Sequence, residues 1–288
     1  MERLRPLFFM SVFHAGAHRF SLARPLIMGI VNTTPDSFSD GGVCLDAGPA
    51  IMHALKLAEA GADILDIGGE STRPGAQTVS ADEEIRRVLP VIEALVGRGL
   101  CVSIDTRKPE VMQAAIVAGA SMVNDVAALR EPGAVGIVAA SQAAVCLMHM
   151  QGEPGTMQTA PTYVDVVREV GDFLVARVAV CEAAGMARNR LMVDPGFGFG
   201  KTLAHNLSLL SHLDRLVPAD VPVMAGMSRK SMLGALTGRG VDGREFAGVA
   251  AHLAAIMRGA RAVRVHDVAA MRDALAVWNA LEGEVDGT

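Results

Sequence analysis

The chain has 288 residues, of which 51% are hydrophobic and 20% are charged. This composition supplies a large core and excludes an intrinsically disordered protein. A net charge of −5, with one Trp and one Tyr, gives little attraction or stacking surface for nucleic acid, so nucleic acid is excluded as a partner.

The first residues predict a short segment ahead of the main domain. The apolar patch from Leu7 to Phe13 is interrupted by Ser11 and barely reaches the length of a signal-peptide core, so a capping strand or hairpin within residues 1–25 is favoured. No apolar run approaches the roughly 18 residues of a membrane span. The four cysteines are scattered without CxxC spacing, which indicates a reducing cytoplasm. Residues 26–288 are predicted to form one domain.

Eight short apolar runs follow, and nearly all of them end on polar residues. In chain order they are Leu26 to Val31 before Asn32, Ile64 to Gly69 before Glu70, Leu100 to Ile104 before Asp105, Ala120 to Val123 before Asn124 and Asp125, Ala143 to Met148 before His149, Leu191 to Val193 before Asp194, Val221 to Met227 before Ser228, Arg229 and Lys230, and a strand containing Arg264 before His266 and Asp267. The stretches between them have helical spacing of apolar residues.

Strands that alternate with helices predict an α/β protein with parallel pairing. A doubly wound sheet is the alternative architecture, but it usually places its ligand at one switch point. Polar residues at the ends of all eight strands favour a single (β/α)8 TIM barrel, in which the carboxyl ends of the strands converge on one face. Long polar connections over residues 32–48 and 68–80 follow the first two strands and are predicted to be binding loops on that face.

The motifs at the strand ends resemble those of the dihydropteroate synthase family. The resemblance covers the chain from about Leu26 to the last helix, and its motifs are Asn32 to Gly42, Gly68 to Gly75, Ile104 to Thr106, Asn124 and Asp125, Cys146 to Met150, Asp194 to Lys201, Met227 to Ser231, and Arg264 to Asp267. It implies condensation of 6-hydroxymethyl-7,8-dihydropterin diphosphate with 4-aminobenzoate to give 7,8-dihydropteroate and diphosphate. It also implies a homodimer. The segment from Ser71 to Gly75 carries no insertion, so a sulfonamide-sensitive form is expected.

The resemblance implies a pterin floor made of Asp105, Asn124, Met148 and Asp194. Buried carboxylates are suited to accept hydrogen bonds from the amidine-like edge of a pterin. Each Asp would otherwise cap the helix after it, because Asp is a favoured N-cap residue. We prefer the capping interpretation for Asp125 and the ligand interpretation for Asp105 and Asp194.

Positive charge on the same face is supplied by Lys230 and Arg264. Arg264 and His266 are two residues apart in a strand and therefore point the same way, and a charge between Val263 and Val265 requires an anionic partner. By resemblance, Lys230 contacts the pterin, Arg264 bridges pterin and diphosphate, His266 contacts diphosphate, and Ser231 lies near the aminobenzoate. Arg229 is interpreted as a solvated surface charge.

The resemblance also assigns a Mg²⁺ contact and a set of loop residues. Asn32 matches the family's contact to Mg²⁺, a cation that keeps its waters and binds mainly through substrate phosphates. Asp36 is expected to offset the cation formed when diphosphate leaves, and Arg73 to close over the aminobenzoate. Phe38, Thr72 and Pro74 are expected to shape the aminobenzoate slot. Asp36, Arg73, Lys230, Arg264 and His266 form the predicted catalytic set.

Three other functions match parts of the sequence. A methyltetrahydrofolate methyltransferase has a similar pterin floor but does not need the loops that contain Asn32 and residues 72–74. The same loops are intact here, and this disfavours a non-catalytic homologue that binds a pterin or a partner protein. A P-loop nucleotidase is disfavoured because the GxxxxGK[ST] pattern would need Gly at Pro195.

Overall fold

The computed structural model describes residues 12–33, 47–71, 78–152 and 155–285. The described chain begins with an antiparallel hairpin of two strands, β1 (Val12–Ala15) and β2 (His18–Ser21). Gly16 in its turn donates a backbone hydrogen bond of 3.1 Å to the carbonyl of Gln142, just before a barrel strand begins. The hairpin therefore lies at the amino end of the strands that follow.

Eight parallel strands then form a closed barrel. Their bounds are β3 (Leu26–Asn32), β4 (Ile64–Gly68), β5 (Val102–Asp105), β6 (Met122–Asp125), β7 (Ala144–Met148), β8 (Leu191–Asp194), β9 (Val223–Ala225) and β10 (Ala260–Val265). Each strand pairs with the next in the chain, and β10 closes the ring by pairing in parallel with β3. The predicted (β/α)8 barrel is confirmed.

Helices cover the outside of the barrel. Their bounds are α1 (Gly48–Glu59), α2 (Ala81–Val96), α3 (Pro109–Val117), α4 (Ala134–Ala139), α5 (Val166–Ala183), α6 (Leu203–Ser211), α7 (Ser231–Thr237), α8 (Glu245–Ile256) and α9 (Val268–Val285). Helix α2 begins where the Ser80 hydroxyl accepts a hydrogen bond from the Glu83 amide at 3.2 Å, and α3 begins at Pro109, whose fixed φ suits a first turn. None of the helices within the described ranges is long and apolar enough to cross a membrane.

The strands face two different cores, and this division locates the site. One set of alternate residues, such as Ile67, Ile104 and Val193, packs outward against the helices. The opposite set fills the barrel interior, where Met28, Met122 and others pack against the hairpin. Because side chains alternate along a strand, the interior positions nearer the carboxyl ends continue this second set.

The hairpin fills the amino end of the barrel with apolar side chains. Phe13 and Leu22 are almost completely buried and belong to the same cluster as the interior side chains of Ile64, Met192 and Ala262. The interior is therefore apolar at this end, and its polar residues collect toward the other end.

Candidate active site

Polar side chains occupy the interior positions at the carboxyl ends of neighbouring strands. In the strand register Gly68 is opposite Asp105, and Asp105 is opposite Asn124. Met148 is opposite Asp194 in the same way. The structure thus brings the four predicted floor residues onto one face of the barrel, on β5, β6, β7 and β8.

Arg264 is held by two carboxylates. Its Nη2 lies 2.6 Å from Asp105 Oδ2 and its Nε lies 2.6 Å from Asp66 Oδ2. Burial disfavours the charge of Arg264, but the two carboxylates outweigh burial and raise the pKa of the guanidinium. The charge that was expected to need an anionic partner therefore has two within the protein.

Asp66 is a site residue that the sequence analysis missed. It is fully buried in the middle of β4, and its Oδ2 also accepts a hydrogen bond of 3.0 Å from Asn124 Nδ2. Its run was interpreted as apolar from Ile64 to Gly69, although a carboxylate inside such a strand is costly without a cationic partner. That cost, together with its even spacing from Ile64 and Gly68, is the signal that identifies it.

Burial acts in opposite directions on the charged groups of the site. It raises the pKa of Asp105 to about 7, although Arg264 opposes this change. Burial also raises the pKa of Asp194, against the influence of Lys230. The pKa of Lys230 is lowered to about 8 by burial, which Asp194 opposes. Asp105 and Lys230 consequently change charge close to neutral pH, as acid–base and ligand-binding residues commonly do.

Lys230 and Asp194 converge beside Gly226. A Cβ placed on Gly226 would lie 3.5 Å from Asp194 Oδ2 and 3.9 Å from Lys230 Nζ. Lys230 Nζ also donates to the carbonyl of Phe197 at 2.5 Å and lies 4.6 Å from the centre of the Phe199 ring. An aromatic face within this distance attracts a cation. Phe199 was not predicted as a site residue, and its contact with Lys230 depends on the folded loop.

The two carboxylate oxygens of Asp194 have different surroundings, and neither caps α6, whose N-cap is Thr202. Oδ1 accepts a hydrogen bond of 2.7 Å from the Gly196 amide, which is a turn-capping contact. Oδ2 faces the space beside Gly226, where it is near Lys230. The residue fixes its own loop while presenting a second acceptor to the site.

The preferred interpretation of Asp125 as the cap of the following helix is wrong, because Gly133 is the N-cap of α4 and Asp125 bonds the turn before it. Oδ1 accepts from the Ala127 amide at 2.7 Å and Oδ2 from the Leu129 amide at 2.6 Å. Both bonds are to the turn after β6, whereas α4 begins only at Ala134. Both of its oxygens therefore serve the backbone.

A second missed residue is Lys201, which is buried to 3% exposure behind the floor. Its Nζ lies 3.0 Å from His149 Nδ1 and donates to the carbonyl of Phe199 at 2.9 Å. Burial lowers the pKa of Lys201 to about 7 and that of His149 to about 3. This contact ties the loop after β8 to the end of β7, where Met148 lies.

The remaining charged residues of the face lie around β10 and the start of α7. His266 Nδ1 is 3.0 Å from the Ser228 hydroxyl, which also accepts from the His266 amide. Arg229 was interpreted as a solvated surface charge. Its side chain is 39% exposed, but it forms an ion pair with Asp267 at 2.6 Å, so it is not free in solvent. Ser231 is the first residue of α7.

Asn32 ends β3 beside the floor. A Cβ on Gly68 would lie 3.9 Å from Asn32 Oδ1 and 3.8 Å from Asp105 Oδ2, so both oxygens flank this glycine. The following residue, Thr33, donates backbone and side-chain hydrogen bonds to the carbonyl of Gly68. The starts of the two long connections are therefore adjacent.

The other end of the second connection is fixed at its base. Glu70 accepts from the Val79 amide at 2.9 Å and from Lys108 Nζ at 2.7 Å. Lys108 also bonds Glu84, which is buried in α2. The remaining predicted site residues, Asp36, Phe38, Thr72, Arg73 and Pro74, lie outside the described residues.

Comparisons with known proteins agree with this fold. The family model for pterin binding enzymes matches residues 28–266. A dihydropteroate synthase of Neisseria meningitidis serogroup C is 52% identical over 275 residues, covering 94% of this chain and 97% of the relative. A solved dihydropteroate synthase of Xanthomonas albilineans with 4-aminobenzoic acid is 54% identical, with a TM-score of 0.89 over 94% of this chain and 98% of that one. A Yersinia pestis dihydropteroate synthase, solved in a sulfonamide drug complex, is 46% identical with a TM-score of 0.89, over 94% and 99% of the two chains.

The fold, the polar face and the family match define a class of protein. The chain belongs to the family of pterin binding enzymes, whose model spans most of the barrel. Within that family its relatives are dihydropteroate synthases over nearly their whole length. It is a transferase of the dihydropteroate synthase group, which acts in folate biosynthesis.

Proposed function

We propose that the protein joins 4-aminobenzoate to 6-hydroxymethyl-7,8-dihydropterin diphosphate, forming 7,8-dihydropteroate and releasing diphosphate. The observation that carries this proposal is the convergence of Asp105, Asn124, Asp194, Lys230 and Arg264 on one face of the barrel. The solved relatives that contain 4-aminobenzoic acid and a sulfonamide drug support the choice of the second substrate and of an inhibitor.

In this proposal the pterin ring lies on the floor beside Met148. Asp105 and Asp194 accept hydrogen bonds from the ring's donors, because ionised carboxylates offer only acceptors. Asn124 adds an amide oxygen, and Lys230 donates to a ring acceptor on the side of Asp194. The nearly buried Met148, at 4% exposure, supplies an apolar contact for the ring face.

Arg264 and His266 bind the diphosphate. Arg264 uses Nε and Nη2 for Asp66 and Asp105, so its remaining donors serve the substrate. His266 is oriented by its two contacts with Ser228. These groups stabilise the negative charge that grows on diphosphate as its bond to the methylene carbon breaks.

The residues present fit a Mg²⁺ ion that arrives with the substrate. Asn32 offers one neutral oxygen at the rim, beside the Asp105 carboxylate. One protein ligand suits a cation that keeps several waters and is bound chiefly through phosphates. When bound, Mg²⁺ would neutralise charge on the leaving diphosphate. We therefore propose Mg²⁺ as cofactor, with Asn32 as its protein ligand.

The proposed displacement is dissociative. The dihydropterin ring donates electron density as the bond to diphosphate breaks, and the aromatic amine then attacks the cationic methylene carbon. The new nitrogen–carbon bond leaves an extra proton on nitrogen, which is released to water to give 7,8-dihydropteroate. Such a weak nucleophile requires orientation more than deprotonation. We assign Ser231, Phe38, Thr72 and Pro74 to the aminobenzoate slot, Arg73 to its closure and Asp36 to balancing the cation.

The proposal extends to location and assembly. We place residues 1–25 as a capping segment on a barrel of residues 26–288. The buried thiols of Cys101, Cys146 and Cys181 support a reducing cytoplasm.

A homodimer is supported by exposed apolar side chains on α7, on α8 and between them, namely Leu236, Val241 and Phe246. Replacing Phe246 by Glu should give monomers in sedimentation, and an unchanged assembly would contradict this interface.

The decisive experiment is release of diphosphate with both substrates and Mg²⁺, with and without a sulfonamide. We expect release only when both substrates are present, and inhibition by the sulfonamide that 4-aminobenzoate relieves. Folded protein that releases no diphosphate would contradict the proposed function. Methyl transfer from methyltetrahydrofolate in the same preparation would favour the alternative enzyme.

A further inference from the structure

Asp66 lies beneath the floor rather than at its surface. It is opposite Ser103 in the strand register, one interior position below Gly68 and Asp105, and its exposure is 0%. A residue in this position cannot reach a substrate that rests on Asp105 and Asn124. The roles proposed above leave it without a direct function.

The Asp66 carboxylate fixes the orientation of two floor residues at once. Oδ2 accepts from Arg264 Nε at 2.6 Å and from Asn124 Nδ2 at 3.0 Å. Since a carboxylate only accepts, the amino group of Asn124 must face Asp66, and its carbonyl oxygen is turned away. The guanidinium is held at two of its nitrogens, Nε by Asp66 and Nη2 by Asp105.

Stability alone is a weak reason for this carboxylate. Buried ion pairs often contribute no more than well-packed apolar side chains of similar volume. Directional bonds to Asn124 and Arg264 do something that apolar packing does not, because they select one amide orientation and one guanidinium plane. In the proposed function Asn124 contacts the pterin and Arg264 binds the diphosphate of the same substrate.

We propose that Asp66 is a positioning residue for pterin recognition, acting through the amide of Asn124 and the guanidinium of Arg264. This inference rests on the proposed function. In this inference Asp66 determines that Asn124 presents its amide oxygen to the pterin. It also sets the angle of Arg264 toward the diphosphate, although Asp66 itself touches neither part of the substrate.

Replacing Asp66 by Asn keeps the volume but removes the charge and makes the orientation of Asn124 ambiguous. We expect the Kd for the dihydropterin diphosphate to rise about tenfold to a hundredfold. The KM for 4-aminobenzoate at saturating pterin should be unchanged. A matched control is Ser103→Ala, which alters a buried polar residue at the same level and should leave the pterin Kd unchanged.

A double-mutant cycle separates positioning from general destabilisation. In an Asn124→Ala background, Asp66→Asn should cost much less pterin affinity than it costs in the parent, because one of its two partners is gone. A full, additive loss with a lowered Tm would show a merely structural role and overturn the inference. An unchanged pterin Kd in Asp66→Asn would also overturn it.

A measurement on the unsubstituted protein keeps the inference testable if the Asp66 variants do not fold. The Nε–H proton of Arg264, observed by ¹⁵N NMR, should exchange slowly with solvent both before and after the pterin substrate is added. Rapid exchange in both states would overturn the inference. A parent enzyme that releases no diphosphate defeats the proposed function, whereas an active parent with an indifferent Asp66→Asn variant defeats only this inference.

Discussion

Arg264 and Asp105, which are 159 positions apart in the chain, are joined by an ion pair of 2.6 Å between Nη2 and Oδ2. In the proposed function Asp105 accepts hydrogen bonds from the pterin, and Arg264 binds the diphosphate. Their direct bond links the two parts of the substrate site, so loss of charge on Asp105 weakens both the pterin contact and the anchoring of Arg264.

Pterin binding should therefore depend on pH through Asp105. The pKa of its carboxyl is raised to about 7 by burial, with Arg264 opposing, so it gains a proton as pH falls through that value. We expect pterin affinity to fall below about pH 7, measured as Kd by titration calorimetry. Asp105→Asn should bind more weakly and lose most of this dependence. An equally steep profile in the variant would assign the titration to another group, such as Asp194.

Lys230 and Arg73 should affect different substrates. Lys230→Ala removes the cation beside Asp194, and we expect a loss of pterin affinity of about tenfold to a hundredfold. Arg73→Ala should mainly reduce turnover with 4-aminobenzoate, with pterin affinity retained. Steady-state kinetics in both substrates, together with pterin Kd values, test this division. Uniform losses in both variants would count against it.

Gly196 should not tolerate a side chain. Its φ is +68°, and a Cβ there would lie 2.0 Å from the carbonyl oxygen of His149. In Gly196→Ala we expect weaker pterin binding. Its free energy of unfolding should fall by much more than the roughly 1 kcal/mol that backbone strain alone would cost. Gly133→Ala is the control, because Gly133 also has a positive φ of +88° but nothing within 4 Å of its Cβ position. Equal urea midpoints in the two variants would contradict the clash.

Asp125 should matter for stability and not for chemistry. Asp125→Ala leaves two buried amides without their acceptor, at a cost of about 1 to 3 kcal/mol each. Asp125→Asn keeps one oxygen and should lie between the parent and the Ala variant in urea unfolding. A kcat that falls at conditions where the variant is fully folded would instead place Asp125 in the chemistry.

Lys201 should make stability rise with pH. Its pKa is lowered by burial to about 7 in the folded protein, against an ordinary value of 10.5. Between these values the unfolded chain binds more protons, so the free energy of unfolding increases with pH. Lys201→Met should reduce this slope without abolishing it, since Lys230 has a pKa lowered to about 8. Unfolding in urea at pH 7, 8 and 9 measures the slope, and an unchanged slope would contradict the assignment.

The barrel and much of its polar face could be predicted because they depend on local patterns. Most strands are apolar runs that end at or just before a polar residue, and the eight strands together fix the face on which Asp105, Asn124 and Asp194 meet. The split role of Asp194 was not predictable, because it depends on the turn that brings the Gly196 amide to one oxygen.

Contacts between distant strands could not be predicted in the same way. Asp66 was hidden because its partners, Arg264 and Asn124, lie 198 and 58 positions away. Lys201 was hidden because its role depends on His149, whose backbone and ring lie across the loop. In each case the partner residue is too distant in the sequence to be identified from spacing. Only the closed barrel brings the two residues together.

Closure of the ring through β3 and β10 also sets when the site can exist as the chain is synthesised. Ala262 pairs with Leu26 and Arg264 with Met28, so one edge of the first barrel strand stays unpaired until the last strand has been synthesised. A nascent chain that stops short of residue 260 contains Asp105, Asn124 and Asp194 but leaves β3 with an unpaired edge. Pterin binding should therefore arise in one step once residues 260–265 have been synthesised and have paired with β3, together with the burial of that edge.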